Sequence, residues 1–203
     1  RKKVSPDTRE KNHALARAAE EESAVLLKND GFLPLNGATE IVIIGDLAAV
    51  PRIQGGGSSH IHTAKIDSFI EQFEKQNVKV RFARGYKNTT FKKNRRLEKE
   101  ALELVRTAAE RNLPVLFFGG LTDIAEGEGY DRESFELPEN QASLLEQLLA
   151  VYENIGFISV GGSPYNMKLP SACRALLQLY LGGEAVGAAC AGIVMGDVNP
   201  SGK

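Results

Sequence analysis

The chain has 203 residues, 42% of them hydrophobic, which is enough for one domain with a well-buried core. Its 25 basic and 26 acidic residues give a formal net charge of -1, so no overall field attracts nucleic acid or an anionic membrane. No apolar run reaches the roughly 18 residues of a membrane helix. We therefore expect neither a nucleic-acid partner nor a membrane partner.

The first half of the chain predicts helices and strands in alternation. Apolar residues such as Leu15, Ala18 and Val25 recur at helical spacing, which predicts an amphipathic helix with Asn12 as its N-cap. A β-branched run ending in glycine then predicts a strand that is buried on both faces. The predicted elements of this half are a helix over 12–27, a strand over 41–45, a helix over 63–76 and a strand over 78–83.

The second half continues the alternation. It predicts helices over 92–111, 138–152 and 185–195, and strands over 114–119, 155–160 and 174–180. Repeated alternation of this kind favours an α/β fold with a mostly parallel sheet, helices on both faces and right-handed connections. No low-complexity linker divides the chain, so we predict one domain.

Neither metal nor cofactor is indicated. Cys173 and Cys190 lie in apolar stretches without ligand spacing, so buried free thiols are the better interpretation. The three histidines do not make a metal set, because His13 is on the first helix and His60 and His62 supply only two ligands. The low cysteine content and the lack of a leader lean toward the cytoplasm.

The loop that follows the first parallel strand, residues 46–63, is long and rich in glycine. A dinucleotide cradle does not fit, because His60 stands where G-x-G-x-x-G requires its third glycine. Two interpretations remain open. The loop is either a flexible turn without a ligand, or a segment whose bare backbone approaches another domain or a sugar, with Arg52, His60 and His62 as polar contacts.

The next long loop, residues 120–138, is acidic and carries glycines on both sides of Glu128. Flanking glycines allow a carboxylate to swing toward a substrate. Glycoside hydrolysis uses two carboxyl groups, and this loop could supply one of them. The alternative is a solvated acidic turn in which Asp131 and Arg132 form ion pairs.

Two further residues suggest ligand chemistry more weakly. Tyr165, in the third loop, has an aromatic face of the kind that stacks on sugars, although a single tyrosine more often packs in a core. Asp46 follows a strand as a phosphorylated or cofactor-binding aspartate would in a flavodoxin-like or receiver-like domain. It stands alone there, which argues against that class.

Five motifs, in order along nearly the whole chain, resemble the second, α/β-sandwich domain of glycoside hydrolase family 3. They are AEEESAVLLKNDGFLPL (19–35), IVIIGDLA (41–48), QGGGSSHIH (54–62), EGEGYDRESFELPENQ (126–141) and GDVNPSGK (196–203).

The resemblance implies a three-layer α/β/α sandwich with about six strands, flavodoxin-like. It also implies that residues 1–203 are one domain of a larger enzyme. The partner of this domain would be an N-terminal (β/α)8 barrel, which carries the nucleophilic aspartate and which no part of this sequence resembles. Family members of this kind cleave β-glycosides with retention of configuration. The isolated domain is therefore expected to be inactive.

The resemblance also assigns roles to residues. Glu128 is expected to be the catalytic acid/base, with Glu126 as the second choice, while the Asp131–Arg132 pair holds the loop in shape. The residues expected to bind substrate are Arg52, Gly57, Ser58, His60, Glu126 and Arg132. No metal and no cofactor is implied. The alternative function is a non-catalytic module for carbohydrate recognition and interdomain packing.

Overall fold

The central sheet of the computed structural model, which describes residues 4–203, has six strands. In chain order the elements are α1 (Pro6–Ser23), β1 (Val25–Asn29), β2 (Glu40–Ile44), α2 (Asp46–Ala49), α3 (Phe69–Lys75), β3 (Lys79–Ala83), α4 (Arg95–Glu110), β4 (Val115–Gly120), α5 (Glu139–Leu149), β5 (Ile155–Val160), β6 (Ala175–Gln178) and α6 (Val186–Met195). Two short 3₁₀ helices, Gly57–Ser59 and Pro170–Ala172, lie in the loops.

The strand order is β1-β6-β5-β4-β2-β3, and only β1 runs antiparallel to its neighbour. The five parallel strands therefore follow the doubly wound, flavodoxin-like order. Helices α1 and α3 pack against α6 in one layer, and α4 packs against α5 in the other. The predicted three-layer α/β/α sandwich with a mostly parallel sheet of about six strands is confirmed.

The middle of the sheet is buried on both faces. Every residue of β4 and β5 is buried, as are the four apolar residues of β2. Where the chain leaves β2, Gly45 has a φ of 131°, and a Cβ there would lie 2.3 Å from the carbonyl oxygen of Phe118. Only glycine fits this close approach, which explains why the apolar run ends in one.

The ends predicted for the first helix are wrong. The helix begins at Pro6, and Ser5 caps it by accepting a hydrogen bond from the backbone N–H three residues later. A serine followed by proline is a stronger start signal than Asn12, because proline presets the first helical turn. At the other end, Val25–Asn29 leaves the helix to form an edge strand against β6, so the prediction of helix over 12–27 fails there.

The inward face of this helix also differs from the prediction. Leu15, Ala18 and Glu22 are exposed, and Leu15 is 69% exposed. The buried residue is Glu20, which lies against a turn where a Cβ on Gly182 would come within 2.4 Å of its carboxyl carbon. Packing of α1 against α6 and the turn that precedes it therefore overrides the apolar periodicity.

Two other elements depart from the sequence prediction. The helix predicted over 63–76 is regular only from Phe69, since Ser68 caps it, and the preceding residues follow an irregular path. The short helix α2, directly after β2, is not predicted. The remaining helices and strands lie within a few residues of their predicted positions.

Candidate functional site

Three long loops leave the carboxyl edge of the sheet, and two of them flank the point where the strand order reverses. We call them the glycine loop (50–63, after β2 and α2), the acidic loop (121–138, after β4) and the proline loop (161–170, after β5). The connection from β2 runs to β3 on one side, whereas that from β4 runs to β5 on the other. A crevice forms at such a switch point, and it is where ligands bind in open α/β sheets.

Arg52 lies at the base of this crevice with its side chain only 5% exposed. Its Nε donates to Asp123 Oδ1 at 2.7 Å, and its Nη1 donates to the carbonyl oxygen of Leu121 at 3.2 Å and to the carboxylate of Glu126. Its Nη2 donates to the backbone carbonyl of Glu126 at 3.3 Å. Every nitrogen of the guanidinium group thus joins the glycine loop to the acidic loop.

Glu126 joins all three loops. Besides Arg52, its carboxylate accepts a hydrogen bond from the backbone N–H of Gly162 at 2.5 Å and another from the hydroxyl of Ser163. Burial raises the pKa of this carboxyl, but the hydrogen bonds from Ser163, Gly162 and Arg52 outweigh burial and lower the pKa overall. Glu126 is therefore held as a carboxylate.

Glu128 lies at the tip of the acidic loop, two residues further along. It is exposed, and its Oε2 accepts hydrogen bonds from the hydroxyl of Ser58 at 2.7 Å and from the backbone N–H of Ser58 at 2.9 Å. These two bonds lower the pKa of Glu128. Gly57 has a φ of 74°, and a Cβ there would lie 2.8 Å from the Glu128 carboxylate, so the bare backbone makes this contact possible.

The acidic loop folds back on itself around Glu128. Gly127 and Tyr130 form an isolated antiparallel bridge, and the hydroxyl of Tyr130 donates to the carbonyl oxygen of Asp123. A Cβ on Gly127 would lie 2.8 Å from the Tyr130 hydroxyl oxygen. The turn therefore presents Glu128 toward the glycine loop.

Buried amides hold the start of the acidic loop. Gln141 accepts from the N–H of Gly120 at 2.8 Å and donates to the carbonyl of the same residue at 3.0 Å. Its neighbour Asn140 donates to the carbonyl oxygens of Lys87 and Thr90 at 3.0 and 2.7 Å. The E-N-Q sequence that follows the acidic loop thus anchors two neighbouring loops to α5.

Arg132 connects the acidic loop to the proline loop. Its Nη2 donates to the carbonyl oxygen of Pro164 at 2.7 Å, and its guanidinium carbon lies 5.8 Å from the ring centre of Phe135. Within residues 4–203, its Nη1 has no hydrogen-bond partner although the atom is buried. Arg132 also lines two cavities of about 570 and 420 Å³ that share the middle of the acidic loop.

His60 and His62 are exposed on the far side of the glycine loop. Their ring centres lie 6.2 Å apart, edge to face, and both rings line a cavity of about 300 Å³. Gln54 closes this part of the loop through two hydrogen bonds to the backbone of Ile61, at 2.9 and 3.0 Å. His60 is therefore accessible, and its predicted contact with substrate stays a prediction.

Two residues for which the sequence weakly suggests ligand binding stabilise the fold instead. Tyr165 is only 3% exposed, and its hydroxyl lies 2.6 Å from Oγ of Ser159, so it packs in the core. Burial raises its pKa. Asp46 is also buried; it accepts from the N–H of Asn88 at 2.8 Å and pairs with Arg84 at 3.1 Å. Its carboxylate anchors the loop after β3.

In the part of the chain that the structure describes, no three His, Cys, Asp or Glu side chains are grouped to hold a metal ion. The two nitrogens of His13 contact Asp67 at 2.8 Å and Glu184 at 3.0 Å, which ties α1 to the turns beside α3 and α6.

Both cysteines are free and buried, and burial raises the pKa of Cys173 to about 12. From residue 4 onward, no helix has the length and apolar character needed to cross a membrane.

Sequence reasoning overlooked the residues that complete the Arg52–Glu126 contacts. The acidic composition of residues 120–138 does not single out Asp123, and no motif singles out Gly162 or Ser163. Arg52 and Asp123 are 71 positions apart, so local spacing carries no signal for their pairing. The signal that was available is their common position after neighbouring parallel strands.

Comparisons with known proteins agree on one family. The model of the glycosyl hydrolase family 3 C-terminal domain matches residues 24–203. The chain is 39% identical over 196 residues to thermostable beta-glucosidase B of Acetivibrio thermocellus, covering 95% of this chain and 25% of that protein. It is 37% identical over 201 residues to an exo-alpha-(1->6)-L-arabinopyranosidase of Bifidobacterium breve, covering 93% and 26%.

Solved structures give the same result. The fold matches the crystal structure of a GH3 beta-glucosidase of Bifidobacterium adolescentis with a TM-score of 0.87 and 36% identity, over 94% of this chain and 28% of that one. It matches a GH3 exo-beta-xylosidase, XlnD, with a TM-score of 0.80 and 27% identity, over 92% and 24%. The chain thus spans about a quarter of the length of the relatives it matches.

Proposed function

This chain belongs to glycosyl hydrolase family 3, as its C-terminal domain, and we propose that it supplies the acid/base carboxylate, Glu128, and part of the sugar site of a retaining exo-β-glycosidase. The remainder of the enzyme, for which we propose an N-terminal (β/α)8 barrel, supplies the nucleophile. The sugar itself is selected mainly outside this chain, since the names of the relatives include glucosidases, a xylosidase and arabinopyranosidases.

The observation that carries the proposal is the difference between the two glutamates of the acidic loop. An acid/base must give up and regain a proton in each turnover, and it must reach the glycosidic oxygen. Glu126 is bound to a buried arginine and cannot be protonated without breaking that pair. Glu128 is exposed, is bonded to the neutral Ser58, and points from a turn at the switch-point crevice.

The chemistry then divides into two proton transfers. Protonated Glu128 donates to the leaving-group oxygen while the nucleophile forms the glycosyl intermediate, and ionised Glu128 then takes a proton from the water that hydrolyses it. A carboxyl group acts as an acid near neutral pH when its pKa is raised. Covering Glu128 with the rest of the enzyme and the sugar removes water from it and raises its pKa in this way.

Neighbouring residues complete the sugar site in this proposal. Gly57 lets the backbone approach closely, and Ser58 offers a hydroxyl within reach of Glu128. Nη1 of Arg132 has no hydrogen-bond partner among the described residues, and His60 is accessible. Arg132 also keeps the acidic loop against the proline loop through Pro164.

A second function is supported by the lowered pKa of Glu128. A carboxylate held ionised by Ser58 is well suited to accept hydrogen bonds from sugar hydroxyls, as in a carbohydrate-recognition module without catalytic role. Such a module tolerates the uncharged Glu128→Gln side chain with little change in kcat, whereas an acid/base does not.

The test is the complete enzyme carrying Glu128→Ala. We expect turnover of a substrate with a poor leaving group, such as a disaccharide, to fall by about 10² to 10⁴. The methyl side chain of alanine cannot transfer a proton. The value of kcat/KM for a dinitrophenyl glycoside should fall far less, because its leaving group needs no proton. Azide should restore part of the lost turnover as a glycosyl azide product, because it replaces the water that Glu128 activates. Glu133→Ala, an exposed carboxylate in the same loop, is the matched control. Wild-type turnover of the disaccharide by Glu128→Ala would remove Glu128 from this role.

Division of the site between two parts has its own test. The chain alone should not hydrolyse p-nitrophenyl β-glucoside or β-xyloside, and mixing it with the barrel part should restore activity. Activity of the chain alone would show that it contains both carboxyl groups.

A further inference from the structure

We propose that Arg52 and Glu126 are positioning residues, whose buried ion pair sets the place from which Glu128 transfers its proton. The inference rests on the proposed function of Glu128. It differs from the expectation that Arg52 and Glu126 contact the sugar directly, and it follows from the contacts that these two side chains make.

The hydrogen bonds of the Arg52 guanidinium group all go to the acidic loop. Its side chain is 5% exposed, and its three nitrogens donate to Asp123, Leu121 and Glu126. Four hydrogen bonds thus engage all three nitrogens, and only a small part of the side chain borders the cavity that His60 and His62 line. A planar, buried arginine that binds both side-chain and backbone oxygens fixes orientation as well as distance.

Glu126 is connected to Glu128 through the single residue Gly127, so a shift of Glu126 is passed directly to the tip of the loop. The other side of its carboxylate is held by Gly162 and Ser163 of the proline loop. Three loops therefore meet at the Glu126 carboxylate, and the strands that they follow, β2, β4 and β5, are hydrogen-bonded neighbours in the sheet.

The two loops touch at two levels. At the base, Arg52 binds Glu126; at the tip, Ser58 binds Glu128. Between these levels the backbones nearly meet, since a Cβ on Gly56 would lie 3.7 Å from the Cα of Gly127. The ion pair between Arg52 and Glu126 thus determines where Ser58 and Glu128 lie relative to each other, and with it the direction of the Glu128 carboxylate.

Long loops need such a fixed point. Most of the acidic loop has no regular secondary structure, so its backbone has many alternatives to the conformation that presents Glu128. A displacement of about 1 Å at a reacting group can cost on the order of 100-fold in rate. Loss of the ion pair should therefore act on proton transfer before it acts on sugar binding.

The experiment compares Arg52→Met and Glu126→Gln with Arg111→Met in the complete enzyme. Arg111 binds Glu40 in a two-bond ion pair at the opposite end of the sheet, so it controls for loss of an arginine–glutamate pair as such. We expect kcat/KM for a disaccharide to fall about 10- to 100-fold in the first two variants, through kcat rather than KM, with little change in kcat/KM for a dinitrophenyl glycoside. Arg111→Met should resemble wild type.

Two further readouts separate positioning from general damage. The alkaline limb of the pH profile of kcat/KM for the disaccharide should move or disappear in Arg52→Met, because the acid no longer reaches the leaving group. Hydrogen exchange of residues 55–60 and 126–130 should become faster in that variant, while the β4 and β5 amides keep their protection.

The outcomes distinguish this inference from the proposed function. If Glu128→Ala shows no dependence on the leaving group, the proposed function fails first. Suppose instead that Glu128→Ala depends on the leaving group. The positioning role is then overturned if Arg52→Met and Glu126→Gln keep the wild-type ratio of kcat/KM for the disaccharide to kcat/KM for the dinitrophenyl glycoside, or raise KM alone. Should Arg52→Met not fold, Glu126→Gln and Ser163→Ala, which each leave most of the contacts in place, decide the question by the same ratio.

Discussion

The two ends of the sheet use charged residues in opposite ways. At the amino end, Glu40 begins β2 and binds Arg111 at 2.7 and 2.9 Å and also Arg81, with both arginine side chains more than a third exposed. At the carboxyl end, Arg52, Glu126 and Gln141 make their contacts in the interior. The connections that lead from a helix into a strand at the amino end are short, whereas the loops after β2, β4 and β5 at the carboxyl end are long.

The difference teaches which contacts determine structure. A short connection is held by the strand and helix that it joins, so exposed ion pairs there add little to the free energy of unfolding. A long loop lacks that support, and its conformation depends on buried polar groups that must all find partners. Substitutions at the carboxyl end should therefore have the larger effects on stability, and the two ends should act on opposite sides of the pH profile.

The largest effect should come from Gln141→Leu. Leucine has a similar size but leaves the buried N–H and carbonyl of Gly120 without partners, at a cost of about 2 to 4 kcal/mol. Urea unfolding of the variant measures this loss. Gln147→Leu on the same helix is the control, because Gln147 only bonds to a carbonyl one turn earlier and is partly exposed. Equal midpoints for the two variants would contradict the anchoring role of Gln141.

Next in size should be the pH dependence that Glu20 imposes from beside Gly182, in the turn that follows β6 at the carboxyl end of the sheet. Burial raises the pKa of its carboxyl to about 7 from an ordinary 4.5, and a bond from Ser23 only partly offsets this. The folded state therefore binds the proton more tightly than the unfolded state, so stability is fully present below pH 4.5 and is lost as the pH rises through 7. The loss is at most about 3 kcal/mol.

Glu20→Gln should remove that dependence. We expect the variant to match the wild type at pH 4 and to exceed it in urea midpoint at pH 8, with the exposed Glu22→Gln as control.

Glu40 provides the opposite case, since bonds from Arg111 and Arg81 lower its pKa to about 2. Its contribution is present above pH 4.5 and lost as the pH falls toward 2, so Glu40→Gln should alter only the acid side of the profile. Parallel profiles for the two variants would show that the two ends do not differ in this way.

The smallest effect concerns Ser58. Its hydroxyl and N–H lower the pKa of Glu128, so Ser58→Ala removes one of two bonds that favour the ionised form. The alkaline limb of kcat/KM in the complete enzyme should move to higher pH, while the rate at the optimum changes less than about tenfold. An unchanged limb, measured with a disaccharide beside Glu133→Ala, would show that Ser58 does not control the proton of Glu128.

The sheet could be predicted from the sequence because its central strands are continuous apolar runs. Ile41–Ile44, Val115–Gly120 and Ile155–Val160 are buried on both faces, and such runs have few alternatives in a chain that alternates with helices. The first helix could not be predicted as well. Its inward residue is Glu20, whose burial depends on a glycine turn more than 150 residues later.

The candidate site was predictable in its parts but not in its connections. The glycines around Glu128 mark a loop tip, and the acidic run marks the loop. The pairing of Arg52 with Glu126 depends on the switch of strand order, which places the loops after β2 and β4 side by side. Nothing in the local spacing of either residue indicates a partner 74 positions away.

The antiparallel edge strand β1 has a consequence for how the protein is made. Val25 pairs with Gln178, so the second element of the chain cannot find its place until nearly all of the domain has left the ribosome. Until then its strand edge, together with the edge of β5 that β6 will later cover, stays open to pairing with other chains. Contacts so distant in sequence also form slowly. Synthesis of this domain should therefore depend on chaperones or on slow translation more than its many local βα units suggest.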